Sequence, residues 1–132
     1  MIHVTCAIIR ESDNVLICQR SANMALPLKW EFPGGKIEEG ESKEACLQRE
    51  IEEELGLEIF VGKELPLVTH TYPTFRITLY PFLCKVQRGS IQLAEHAQAK
   101  WVPWQTLNDF DWAEADKPIV RTFMQLVAAN CV

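Results

Sequence analysis

The feature that most constrains this chain is the stretch from Trp30 to Leu57, WEFPGGKIEEGESKEACLQREIEEELGL. Ser42 has the chemistry of a helix N-cap, no Gly or Pro interrupts Lys43 to Leu55, and Gly56 stands where a left-handed C-cap belongs. The stretch therefore predicts a glycine-rich loop, a helix and a stop. On that helix Leu47, Ile51 and Leu55 recur at i, i+4 and i+8 and form an apolar stripe. Glu50, Glu53 and Glu54 share the neighbouring flank, whereas Glu52 points elsewhere. Clustered glutamates ordinarily form a solvated helix face. Beside a buried stripe, three carboxylates repel one another and resist desolvation unless a cation neutralises them. Hard oxygen ligands at this density suit Mg²⁺, with Mn²⁺ as a substitute, and such ions share phosphate oxygens.

The spacing resembles the Nudix box, GX5EX7REUXEEXGU with U aliphatic. The matching positions are Gly35, Glu41, Arg49, Glu50, Ile51, Glu53, Glu54, Gly56 and Leu57, without departure. The preceding Trp30-Glu31-Phe32-Pro33-Gly34-Gly35-Lys36 resembles the MutT branch in particular. The resemblance implies a Nudix fold, a mixed, curved β-sheet sandwiched between helices, in the α/β (α+β) class. It implies Mg²⁺-dependent hydrolysis of a nucleoside diphosphate linked to another group. For a nucleoside triphosphate the products are the monophosphate and pyrophosphate. CTP, dCTP and oxidised or modified nucleotides are the expected substrates. ADP-ribose, nucleotide sugars or dinucleoside polyphosphates are the alternative, and a non-catalytic binding module is a third.

Residue roles follow from the same resemblance. Glu50, Glu53 and Glu54 are expected as metal ligands, joined by the Gly35 carbonyl and by Glu95, an acid in the loop before Trp101. Glu50 or Glu53 is expected to accept the proton of the attacking water, with Glu95 also possible. His96 is a weaker candidate beside it. Glu41 and Arg49 are expected to brace loop against helix. Lys36, Arg20 and Arg76 are candidate nucleotide or phosphate contacts, each with plain solvent exposure as the alternative. Asp116, before Lys117-Pro118-Ile119-Val120, reads locally as a helix N-cap. In the MutT branch a polar residue at such a helix start reads the base. The guanine-oxidation enzyme has asparagine there, so Asp116 shifts the expectation toward a CTP/dCTP-hydrolysing relative. Tyr72 and Pro73 lie near positions that mark other Nudix subfamilies, although hairpin turns carry the same residues.

The chain of 132 residues is expected to form one domain spanning 1–132. Its net charge of −5 argues against a nucleic-acid polymer as partner, and a small nucleotide is expected instead. The odd count of five cysteines, with no CxxC pair, points to reduced thiols rather than a disulfide framework or zinc site. Met1 runs almost directly into a strand, and no apolar run approaches the ~20 residues of a membrane span. A cytoplasmic protein, monomeric or homodimeric, without membrane attachment is the expectation. Strands are expected at 3–10, 15–19, 30–32, 58–62, 65–72, 75–86 and 99–104, a short helical turn at 105–110, and a final helix at 117–129.

Overall fold

The computed structural model describes all residues from Met1 to Val132. The strands are β1 (Ile2–Glu11), β2 (Asn14–Gln19), β3 (Trp30–Glu31), β4 (Gly34–Lys36), β5 (Glu58–Glu64), β6 (Val68–Thr71), β7 (Arg76–Arg88) and β8 (Gln98–Pro103). The helices are α1 (Lys43–Leu55) and α2 (Lys117–Ala128), with 3₁₀ turns at Trp104–Asp109 and Glu114–Asp116. No helix is long and apolar enough to cross a membrane.

The sheet is mixed and is organised on β1. Its length runs parallel to β7, from Ile2 opposite Ile77 to Ile9 opposite Cys84. Its first half also pairs antiparallel with β4, and its end turns into β2. β8 and β3 pair antiparallel with β2, whereas β5 and β6 pair antiparallel with β7. Helices cover both faces, as the Nudix resemblance implies. Leu47, Ile51 and Leu55 of α1 are fully buried against Ala7, Ile9 and Phe82. Ile119, Val120, Phe123 and Val127 of α2 pack with Ile8, Ile17 and Leu79 on the other side. Each fully buried aliphatic side chain contributes roughly 1.5–3 kcal/mol to holding its helix on the sheet.

The ends of α1 are built as its sequence requires. Ser42 Oγ accepts from the Ala45 amide at 3.0 Å. Gly56 adopts φ 68°, and its amide donates to the Glu52 carbonyl. Gly56 thereby turns the chain from α1 into β5.

One local expectation is corrected. The strand expected over 65–72 is shorter, because the Leu65 amide is committed to the Pro81 carbonyl and Pro66 follows, so regular pairing starts only at Val68. Pro81 lies inside β7, opposite Cys6 of β1. Near it β7 changes partner from β6 to β5, with a register shift between Val61 and Glu64 of β5.

Candidate active site

A cavity of about 410 Å³ opens beside α1, between β1, the Gly34–Lys36 strand and the 3₁₀ turn before α2. Val4, Phe75, Ile77 and Leu79 line one side of it. Its polar lining includes Glu54, Lys36, Glu31, Arg20 and Asp116.

Arg49 organises the mouth. Its Nε and Nη2 donate to the two Glu41 oxygens at 2.8 and 2.9 Å, Nη1 donates to Glu50 Oε1 at 2.8 Å, and Nη2 also reaches the Lys36 carbonyl at 3.2 Å. The guanidinium bond holds the Glu41 carboxyl at about 2, well below its ordinary value, with the Glu38 amide adding to the effect. The bracing role expected of Glu41 and Arg49 matches this geometry.

The three glutamates of α1 are placed differently from one another. The Glu50 carboxylate is half-buried against Gly35, where a Cβ would lie 2.2 Å from its Cδ. Glu53 is 61% exposed and shares Arg49 Nη1 with Glu50, at 3.5 Å. Glu54 turns into the cavity. Burial pushes its carboxyl up to about 9, with Glu31 and then Glu50 adding repulsion. Its Oε2 is buried and has no hydrogen-bond partner.

No three His, Cys, Asp or Glu side chains are gathered closely enough to hold an ion by themselves. The donor set nevertheless fits a divalent cation. An orphaned, desolvated carboxylate oxygen repelled by two further carboxylates is the environment a cation relieves, with phosphate and water completing the shell.

Other expected site residues fare unevenly. Arg20 lines the cavity, but its Nη1 is paired to Glu31 Oε1 at 2.8 Å and its Nε to the Ala25 carbonyl at 2.5 Å. Lys36 is exposed at the rim. The Gly35 carbonyl accepts from Thr5 Oγ1 at 3.4 Å and from Cys46 Sγ at 3.6 Å, behind the loop. The missing side chain of Gly35 leaves room for the Glu50 carboxylate.

Three further residues are placed as follows. Arg76 is exposed and outside the cavity lining, because alternation along β7 turns Phe75, Ile77 and Leu79 inward instead. Glu95 is exposed and also outside the lining, although Ala94 ties its loop to the Glu54 carbonyl. Asp116 sits at the start of α2 without capping it. Its Oδ2 accepts from the Phe32 amide at 3.0 Å, and burial, then Glu31, push its carboxyl well up.

Glu31 received no role from the sequence, yet both its oxygens are engaged, by Arg20 and by His96. The available signal was a lone acid between two aromatics, one short strand before the glycine pair. Tyr72, offered as a subfamily marker, accepts the Ala115 amide at 2.9 Å through its hydroxyl.

The family profile described as NUDIX domain matches residues 1–123. CTP pyrophosphohydrolase of Escherichia coli K12 is 35% identical over 130 residues, covering 98% of this chain and 96% of the relative. The 8-oxo-dGTP diphosphatase of the same organism is 30% identical over 126 residues, covering 95% and 98%. Among solved structures, the E. coli ORF135 protein superposes with a TM-score of 0.84 at 35% identity, covering 98% of this chain and 92% of that one. The MutT protein of Methanosarcina mazei Go1 gives 0.84 at 25% identity, covering 94% and 93%.

Proposed function

Given that the chain belongs to the NUDIX domain family and is a hydrolase of phosphoric anhydrides, we propose that it is a Mg²⁺-dependent nucleoside triphosphate pyrophosphohydrolase that takes CTP, dCTP or a modified nucleotide to the monophosphate and pyrophosphate. Mn²⁺ is the expected substitute ion. The observation that carries this reading is the Glu54 Oε2 atom, buried without a partner in a residue that lines the cavity. Likeness over nearly the full length to a CTP pyrophosphohydrolase supports the cytidine preference.

The cavity then receives the nucleotide along its length. Glu54 and Glu50 would hold the cation, with Glu53 beside Glu50 at Arg49. Lys36 at the rim meets the charge of the phosphate chain. Arg49 keeps Glu50 aimed across Gly35. When bound, the divalent ion neutralises phosphate oxygens and acidifies the attacking water. The water's proton passes to a carboxylate, for which Glu50 and Glu53 are the candidates. Phe75, Ile77 and Leu79 offer an apolar wall to the base, and Asp116 offers a polar contact among them.

The test is incubation of the pure protein and Mg²⁺ with NTPs, dNTPs, 8-oxo-dGTP, 5-methyl-dCTP, ADP-ribose and diadenosine polyphosphates, followed by product identification. Pyrophosphate and CMP or dCMP are expected. Turnover of ADP-ribose to AMP and ribose phosphate, with inert triphosphates, overturns the proposal.

A further inference from the structure

Glu31 has no task in the scheme above, although the structure places it with care. β3 is only two residues long, but it is fixed on both sides. It pairs with β2 through Cys18 and Gln19, while the Trp30 amide and carbonyl bond to Asp111 and Ala113. Among charged groups, Glu31 acts most strongly on both Glu54 and Asp116. Glu31, Glu54 and Asp116 all line the same cavity.

Its two oxygens are held by donors from separate segments. Arg20 Nη1, just after β2, donates to Oε1 at 2.8 Å. His96 Nε2, in the segment before β8, donates to Oε2 at 2.8 Å. That segment is itself anchored at both ends. The Ala94 amide bonds to the Glu54 carbonyl, and the Ala97 amide to the Gln19 carbonyl. The imidazole is 2% exposed, and its Nδ1 is buried without a partner. A buried ring with an orphaned nitrogen opposes folding. Its retention is explained where the other nitrogen's bond performs a task.

We propose that His96 is a positioning residue for nucleotide binding: with Arg20 it fixes the Glu31 carboxylate in the cavity wall, where Glu31 accepts a hydrogen bond from a hydroxyl or amino group of the nucleoside. Two charge-assisted bonds remove the rotational freedom of the Glu31 side chain. A preset acceptor binds without first being ordered. Each Glu31 oxygen keeps a lone pair for the ligand. The inference rests on the nucleotide reading above.

The experiment is steady-state kinetics on the best triphosphate, with Tm recorded for each variant. His96→Leu fills similar space without donating, and its KM is expected to rise roughly tenfold while kcat changes little, the loss of one hydrogen bond to a charged acceptor. His96→Gln restores the donor and is expected to recover most of that loss. Adding Glu31→Gln to His96→Leu is expected to raise KM by less than the separate effects combined. An unchanged KM in His96→Leu, a Gln variant no better than Leu, or additive effects overturns the proposal, whatever the Tm values. Wild-type protein inert toward every nucleotide overturns the functional reading itself, a result distinct from an active wild type with unaffected variants.

Discussion

Arg49 grips Glu41 with two nitrogens at 2.8 and 2.9 Å while a third holds Glu50 at 2.8 Å. One planar guanidinium thus fixes the loop before α1 and aims a carboxylate on α1. A lysine has a single charged head and cannot reproduce that fork.

Arg49→Lys is accordingly expected to lower kcat by roughly 10–100-fold, as loss of an outer partner of a metal ligand does. The helix remains, since its buried stripe is untouched. Circular dichroism with kinetics checks both halves. The Glu41 carboxyl, ordinarily 4.5, is held at about 2. A depressed acid contributes stability that is complete above its unfolded value and is lost as pH falls toward the folded one. The Tm difference between wild type and Glu41→Gln should therefore be constant above pH 4.5 and narrow between 4.5 and about 2. A difference independent of pH contradicts the pairing.

Glu54 has the opposite sign. Its carboxyl is raised from 4.5 to about 9 by burial, then by Glu31 and Glu50. A raised acid contributes fully below its unfolded value, and the contribution is lost as pH rises toward the folded one. In cation-free buffer at pH 8, Glu54→Gln is expected to be more stable than wild type, by up to about a few kcal/mol. The gap should close near pH 4.5. Mg²⁺ should raise the wild-type Tm and leave the variant's unchanged. Turnover of the variant should fall roughly 10²–10³-fold, as removal of a preorganised electrostatic partner does. A variant that Mg²⁺ stabilises as strongly as wild type removes Glu54 from the cation site.

The adjacent glycines should separate stability from activity. A Cβ on Gly34 would lie 1.9 Å from the Thr5 carbonyl oxygen, a backbone atom that cannot retreat without breaking the β1–β4 pairing. The three atoms nearest a Cβ on Gly35 would all belong to the Glu50 carboxylate, the movable end of a side chain. Gly34→Ala is expected to lower Tm strongly, by an overpacking penalty of about 1–3 kcal/mol or more. Gly35→Ala is expected to keep most of its stability and lose activity through displacement of Glu50. Equal Tm losses in the two variants contradict this division.

These cases show what the sequence could carry. The helix was legible in full, because Ser42, Gly56 and the Leu47–Ile51–Leu55 stripe act within a few residues of one another. The Arg49–Glu41 brace was legible through motif spacing. Residues whose roles arise from distant segments were not. Glu31 becomes a hub only when β2 and the segment before β8 deliver Arg20 and His96 to it. Arg76 was misplaced because strand alternation fixes which residues share a face but not which face meets the cavity. Asp116 had the local chemistry of an N-cap, yet the Phe32 amide, from the far end of the chain, claims its carboxylate. The spread of Glu50, Glu53 and Glu54 likewise depends on Gly35 and Arg49, which no helical wheel contains.

Asp116 gives the sharpest test of substrate choice. Its side chain is buried, its Oδ2 is occupied by the Phe32 amide, and burial and Glu31 favour the protonated form. A protonated carboxyl presents an O–H donor from its other oxygen. Asn keeps an acceptor for Phe32 and offers an amide N–H₂ in place of that O–H, so Asp116→Asn should fold with little change in Tm. It removes the option of becoming an acceptor by ionising, which Asp retains. A site that reads a base through buried polar groups discriminates strongly when those groups change. The ratio of kcat/KM for CTP to that for 8-oxo-dGTP is therefore expected to shift by roughly 10-fold or more in Asp116→Asn. In Asp116→Leu both substrates should weaken, and Tm should fall because the Phe32 amide is left buried without an acceptor. An unchanged ratio in the Asn variant, with Tm intact, would show that Asp116 supports the Phe32 turn and does not read the base.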